Sequence, residues 1–155
     1  MHSHNIPAIP GTFKKLFCAG LLAAVALVGQ AADSPDAKAV QGVWKPVKAE
    51  LGGQPMPDEV LKTITLKLHD DRYVVSVGER LDKGTCTIDA STKPKSMTIT
   101  GTEGPNQGKT FPAIFELEGD TLRICYDLSG KQRPAEFKSV AGTRLYLVTY
   151  HRAKD

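Results

Sequence analysis

The sequence predicts an all-β domain: an up-and-down antiparallel barrel of about eight strands, with one short helix after the first strand. Three observations carry this expectation. Apolar and polar residues alternate with a period of two in short segments between Gly42 and Arg152. Clusters of Gly, Pro, Asp and Ser separate those segments at intervals of roughly 8–12 residues. No long crossover intervenes, so hairpins join neighbours, and closure of such a sheet leaves no free edge to aggregate.

Before these segments comes a leader. Residues 1–13 are polar, Lys14 and Lys15 supply positive charge, and "LFCAGLLAAVALVG" (Leu16 to Gly29) is an uncharged apolar run. Gly29 and Ala31 place small residues ahead of a cut after Ala31, which is the order of a secretory signal peptide over residues 1–31. The run is short of the roughly 20 apolar residues that a membrane span needs, which disfavours the alternative of an uncleaved anchor. Phe17 directly before Cys18 does not suit a lipid-modified cysteine. The mature chain is therefore expected outside the cytoplasm, secreted or periplasmic, with no membrane span.

"ADSPDAKAVQ", residues 32–41, is small and polar and reads as a flexible tether. The barrel domain then spans residues 42–155. Its first strand begins at "GVWKPVKAEL"; "MPDEVLKTI" follows, with Asp58 and Glu59 in the first turn of a short helix. "ITLKLHDD" places Ile64, Leu66 and Leu68 on one face. "DRYVVSVGERL", "GTCTIDA", "KSMTITG", "KTFPAIFELEGD", "TLRICYDLSG" and "TRLYLVTYHR" complete the set. "GTEGPNQGK" between the fifth and sixth reads as a hairpin loop: it lacks the spacing of a phosphate loop, and no helix follows it.

Twenty Lys and Arg stand against 17 Asp and Glu, and two of the lysines belong to the leader, so the mature part is close to neutral. It contains no basic run, and nucleic acid is not an expected partner. His69 and His151 are isolated, with no Cys or His at ligand spacing, so neither a metal site nor a cofactor is expected. There is no G-x-S-x-G and no Cys–His arrangement, and no catalytic residue is assigned. In an exported chain Cys86 and Cys125 would be free to pair. Alternation puts Cys86 with Ile88 inside and Cys125 with Arg123 outside, and opposite faces do not meet disulfide geometry unless a bulge shifts the phase.

Gly42-Val43-Trp44 resembles the G-x-W signature that opens the first strand of lipocalins. Further pieces match in order: Gly53 to Glu59, Thr102 to Thr110, Ile114 to Tyr126, and "RPAEFKS" from Arg133 to Ser139. Together they are similar to a lipocalin-like domain family of unknown function common in planctomycete-type bacteria, over nearly all of Val40 to Arg152. Val40 stands where that pattern has Leu. The resemblance implies the barrel fold and an exported location, and it brings no catalytic residues. It also implies that Trp44 plugs the closed end under an arginine from the last strand. In an up-and-down barrel the first strand starts where the last one ends, so Arg152 is the expected partner rather than Arg144.

A barrel of this size is either filled by its own side chains or holds one small ligand. The leading expectation is a small apolar ligand, with Tyr73, Phe115, Tyr126 and Tyr146 on the cavity wall. Arg133 is read in two ways, as a clamp on the loop before the last strand, paired with Glu136, or as a guard at the mouth together with Lys138. The alternative function is a protein–protein interaction or inhibitor module with a filled barrel; no particular protein partner is indicated.

Overall fold

The computed structural model describes residues 34–154, so the leader and its expected cut site lie outside the described residues. The elements run α1 (Pro35–Ala39), β1 (Gly42–Leu51), β2 (Gln54–Pro55), α2 (Asp58–Leu61), β3 (Ile64–His69), β4 (Arg72–Val77), β5 (Arg80–Asp89), β6 (Lys95–Glu103), β7 (Thr110–Glu118), β8 (Thr121–Asp127) and β9 (Leu145–Arg152). Every ladder is antiparallel, and from β3 to β9 each strand pairs with the next. β1 closes the ring against β9, from Trp44↔Arg152 to Leu51↔Tyr146, while its first residues pair with β3. The two-residue β2 only folds back on the end of β1, so the expected closed barrel of eight strands is present. α2 is the short helix expected after the first strand.

β1 serves two neighbours because it bends. Its register against β9 shifts between Pro46 and Lys48. Pro46 has no N–H to give to a ladder, and a bulge is where a sheet tolerates that. The shift changes the phase, so Trp44 and Ala49 both face the core although four residues, an even number, lie between them.

The core follows the alternation. Ile64, Leu66 and Leu68 are buried on β3; Met97 and Ile99 on β6; Phe111, Ala113 and Phe115 on β7; Leu122, Ile124 and Tyr126 on β8. The free Cys86 belongs to this inner set, whereas the free Cys125 lies on the outside of β8, beneath the long β8–β9 connection, where its thiol donates to the Lys138 carbonyl at 3.4 Å. Ile114 is buried on that same outer face. The two thiols occupy opposite faces and stay unpaired.

Two expectations about the elements need correction. Residues 34–41 form a helical turn and its cap, not a tether. The Ser34 side chain accepts the Ala37 N–H at 3.0 Å, Pro35 presets the first turn, and Ala37 and Val40 bury their side chains against the barrel. The boundary between the third and fourth strands also moves. The chain turns at Gly78-Glu79, where Gly78 takes φ +61°, and β5 then runs unbroken through Gly84. Gly84 is therefore a mid-strand residue and not the first of its strand.

The β8–β9 connection starts on Asp127, whose buried carboxylate accepts the backbone N–H groups of Ser129 (2.9 Å), Lys131 (3.1 Å) and Gln132 (2.8 Å) and the Ser129 hydroxyl (2.6 Å). Burial pushes its pKa up, but these donors outweigh burial and hold the carboxyl below its ordinary range. The unfolded chain thus binds this proton more readily than the folded one. The stabilisation is present above the unfolded value of about 4 and is lost as pH falls from there through the folded value. Asp127→Asn is expected to flatten that acid limb when thermal melts are recorded at a series of acid pH values; an unchanged limb would refute this role.

Candidate functional site

The closed end is built around Trp44, which is fully buried. Its indole N–H donates to the Val40 carbonyl at 2.9 Å, which ties the floor of the barrel to α1. The Arg152 guanidinium lies 4.2 Å from the indole ring centre. That guanidinium also donates to the carbonyls of Gln41 and Ala39 and to the Asp120 carboxylate (3.1 Å). A Cβ on Gly42 would come within 2.8 Å of the arginine Nη1. The glycine of the Gly-x-Trp trio therefore makes room for the cation that stacks on the tryptophan.

The opposite half is hollow. A cavity of about 360 Å³ opens between the strands from β3 to β9 toward the end away from Trp44. Its wall is mostly aliphatic and aromatic, with Leu66, Val75, Ile99 and Phe111 among the lining residues. That size falls at the lower end of the range for small-molecule sites, about 300–1,000 Å³. Val77 and Leu81 reach the rim and remain well exposed.

Four tyrosines share this space: Tyr73, Tyr126, Tyr146 and Tyr150. The rings of Tyr126 and Tyr146 stack, with centroids 5.7 Å apart. Burial raises the pKa of all four; it lifts Tyr146 to about 12. For Tyr73 a hydrogen bond to the Asp82 carboxylate adds to the effect of burial. The phenols are therefore neutral hydrogen-bonding groups at any working pH. Burial likewise pushes the Cys86 thiol up to about 12, so it carries no thiolate.

Asp82 organises the mouth. Its carboxylate accepts the Tyr73 hydroxyl (2.9 Å), the Asn106 backbone N–H (3.0 Å) and the Asn106 side-chain amide (2.9 Å). Pro105 and Asn106 belong to the β6–β7 loop and line the cavity, so one carboxylate joins the interior to a loop over the opening. Gly84, two residues on, lets Tyr73 lie down: a Cβ there would meet Tyr73 Cε1 at 2.6 Å and the Thr100 carbonyl oxygen at 1.9 Å.

Of the wall residues read from the sequence, Tyr73, Tyr126 and Tyr146 line the cavity. Phe115 does not: it is 1 % exposed and sits in the packed half of the barrel, near the end of β7 that leads to the closed side. Alternation gives a residue's face, not its height along the barrel axis. Arg133 is also absent from this cavity. Its guanidinium donates to the carbonyls of Met97 and Ala113, both at 2.7 Å, and to the Thr98 hydroxyl at 3.0 Å. Met97 and Ala113 face each other across β6 and β7, so Arg133 clamps a strand pair from a separate shallow groove. Its expected partner Glu136 pairs with Lys138 instead, at 2.7 Å, and Phe137 lies under Arg123, 4.4 Å from its guanidinium carbon.

Three residues of the site were not read from the sequence. Tyr150 follows Tyr146 and Val148 on the same face of β9, a signal the alternation did contain. Asp82 shares the inner face of β5 with Gly84, Cys86 and Ile88, but only once β5 is allowed to begin at Arg80. Asn106 comes from a loop, where no periodicity exists to find it.

Among the described residues no group of three or more His, Cys, Asp or Glu side chains gathers as a metal-ion site, and no helix is long and apolar enough to cross a membrane. The fold and cavity define a closed antiparallel β-barrel with a sealed floor and an open, mainly apolar interior. Comparison of the chain with protein-family models, with curated proteins and with solved structures finds no match in any of the three.

Proposed function

We propose that the chain is an exported lipocalin-like protein that binds one compact, mainly apolar molecule inside the barrel and performs no reaction on it. The cavity of about 360 Å³ above the Trp44 floor carries this reading. Burying an apolar ligand there would release water from a wall that offers few polar partners, which is the driving force of such binding. The raised pKa values of the tyrosines and of Cys86 leave those groups protonated, without a nucleophile or base among them. Export rests on the leader, and kinship with lipocalin-like domains rests on the Gly42-Val43-Trp44 start and the ordered motifs that follow it.

The test uses the mature chain and N-phenyl-1-naphthylamine, an uncharged dye that brightens in apolar surroundings. Wild-type protein is expected to raise its emission saturably. Val75→Trp, which fills the cavity from β4, is expected to weaken binding at least tenfold while the β-sheet circular dichroism persists. A flat titration with the wild type, or equal binding by the filled variant, would remove the proposal.

A further inference from the structure

The cavity has an asymmetry of charge that an apolar-ligand reading does not use. Two charged side chains stand on its wall, Arg80 and Asp82, and they differ in setting. Arg80 is exposed at the rim, where water screens it and an ion pair gains little. Asp82 is half-buried and points inward from β5, beside the Tyr73 ring. All three of its hydrogen-bond donors are neutral, and among the described residues no basic side chain comes within ion-pair distance of it. A carboxylate facing a mainly apolar cavity without a counter-charge is an electrostatic vacancy. The Tyr73 ring stands beside it, and the same cavity wall carries the rings of three more tyrosines and Phe111, whose faces attract cations.

We infer that the barrel selects a compact organic cation, an ammonium carried on a small aromatic or aliphatic body, with Asp82 as the residue that determines the preference. The inference rests on the reading of the interior as a binding site. The ammonium would meet the carboxylate, the Tyr73 hydroxyl beside it would accept one of its remaining N–H groups, and the body would fill the apolar space toward Leu66 and Ile99. A carboxylate ligand of the same shape would set its charge against Asp82, with only the solvated Arg80 to offset the repulsion.

Calorimetric titration with three probes of matched shape tests this: 2-phenylethylammonium, 2-phenylethanol and 3-phenylpropionate. The cation is expected to bind wild-type protein at least tenfold more tightly than the carboxylate, and more tightly than the alcohol. Asp82→Asn, which removes the charge and keeps one of the two oxygens that Tyr73 and Asn106 use, is expected to cost the cation about tenfold more than it costs the alcohol. Equal or tighter binding of the carboxylate overturns the inference, as does an unchanged affinity of the cation for a folded Asp82→Asn protein. The wild-type comparison decides alone if that variant does not fold. If the neutral naphthylamine dye binds and the ammonium shows no advantage, the cation preference falls and the cavity reading stands; if the dye also fails, both fall.

Discussion

Replacing Trp44 by Ala is expected to lower the unfolding free energy by about 3–5 kcal/mol, measured by urea denaturation. The side chain is fully buried, and its loss also strands the Arg152 guanidinium over an empty floor. The two parts separate experimentally. Arg152→Ala removes the stacking contribution, about 0.5–2 kcal/mol, together with the bonds to Ala39, Gln41 and Asp120. Arg152→Lys is not expected to restore the loss, because an ammonium cannot reproduce the planar fork that reaches three partners at once. A Trp44→Ala cost within the error of the measurement would show that the indole does not seal the barrel.

Gly84→Ala carries the second large expectation. An added Cβ would stand 1.9 Å from the Thr100 carbonyl oxygen, and backbone in the middle of a closed sheet has little room to move. Forcing a methyl into such a site costs about 1–3 kcal/mol or more. The same Cβ would push on the Tyr73 ring at 2.6 Å and pull its hydroxyl away from Asp82. The variant is therefore expected to lose about 2–3 kcal/mol in urea denaturation and to bind the naphthylamine dye more weakly than wild type. A stability loss well under 1 kcal/mol would mean that β5 and β6 approach less closely at this point than the geometry indicates.

Much of the architecture was legible before any coordinates. Alternation along "ITLKLH" and "TLRICYD" placed the right residues inside, and hairpin-length connections predicted closure of the first strand on the last. From that closure and the Gly-x-Trp start, Arg152 followed as the partner of Trp44, some hundred residues away along the chain. The errors share a cause: local composition was allowed to outrank position. The Ser34-Pro35 helix start was hidden in a polar stretch that looked like a linker. Gly84 read as the first residue of a strand, although β5 begins four residues earlier and the missing side chain there serves a neighbouring ring. Arg133 reached across to two strand carbonyls, and no local pattern reports a contact between residues 20 and 36 positions apart. Within the site, the tyrosines were visible because they sit on strands, whereas Asn106 depended on how a loop folds back over β5.

The seam between β1 and β9 has a consequence for how the chain reaches its final form. Synthesis delivers Gly42 long before Arg152, so the first ribbon has one partner missing until the last ribbon emerges. Through that interval the ring cannot close, and Trp44 lacks the arginine that stacks on it. The eight residues of β9 are therefore the zip that turns the open sheet into a ring.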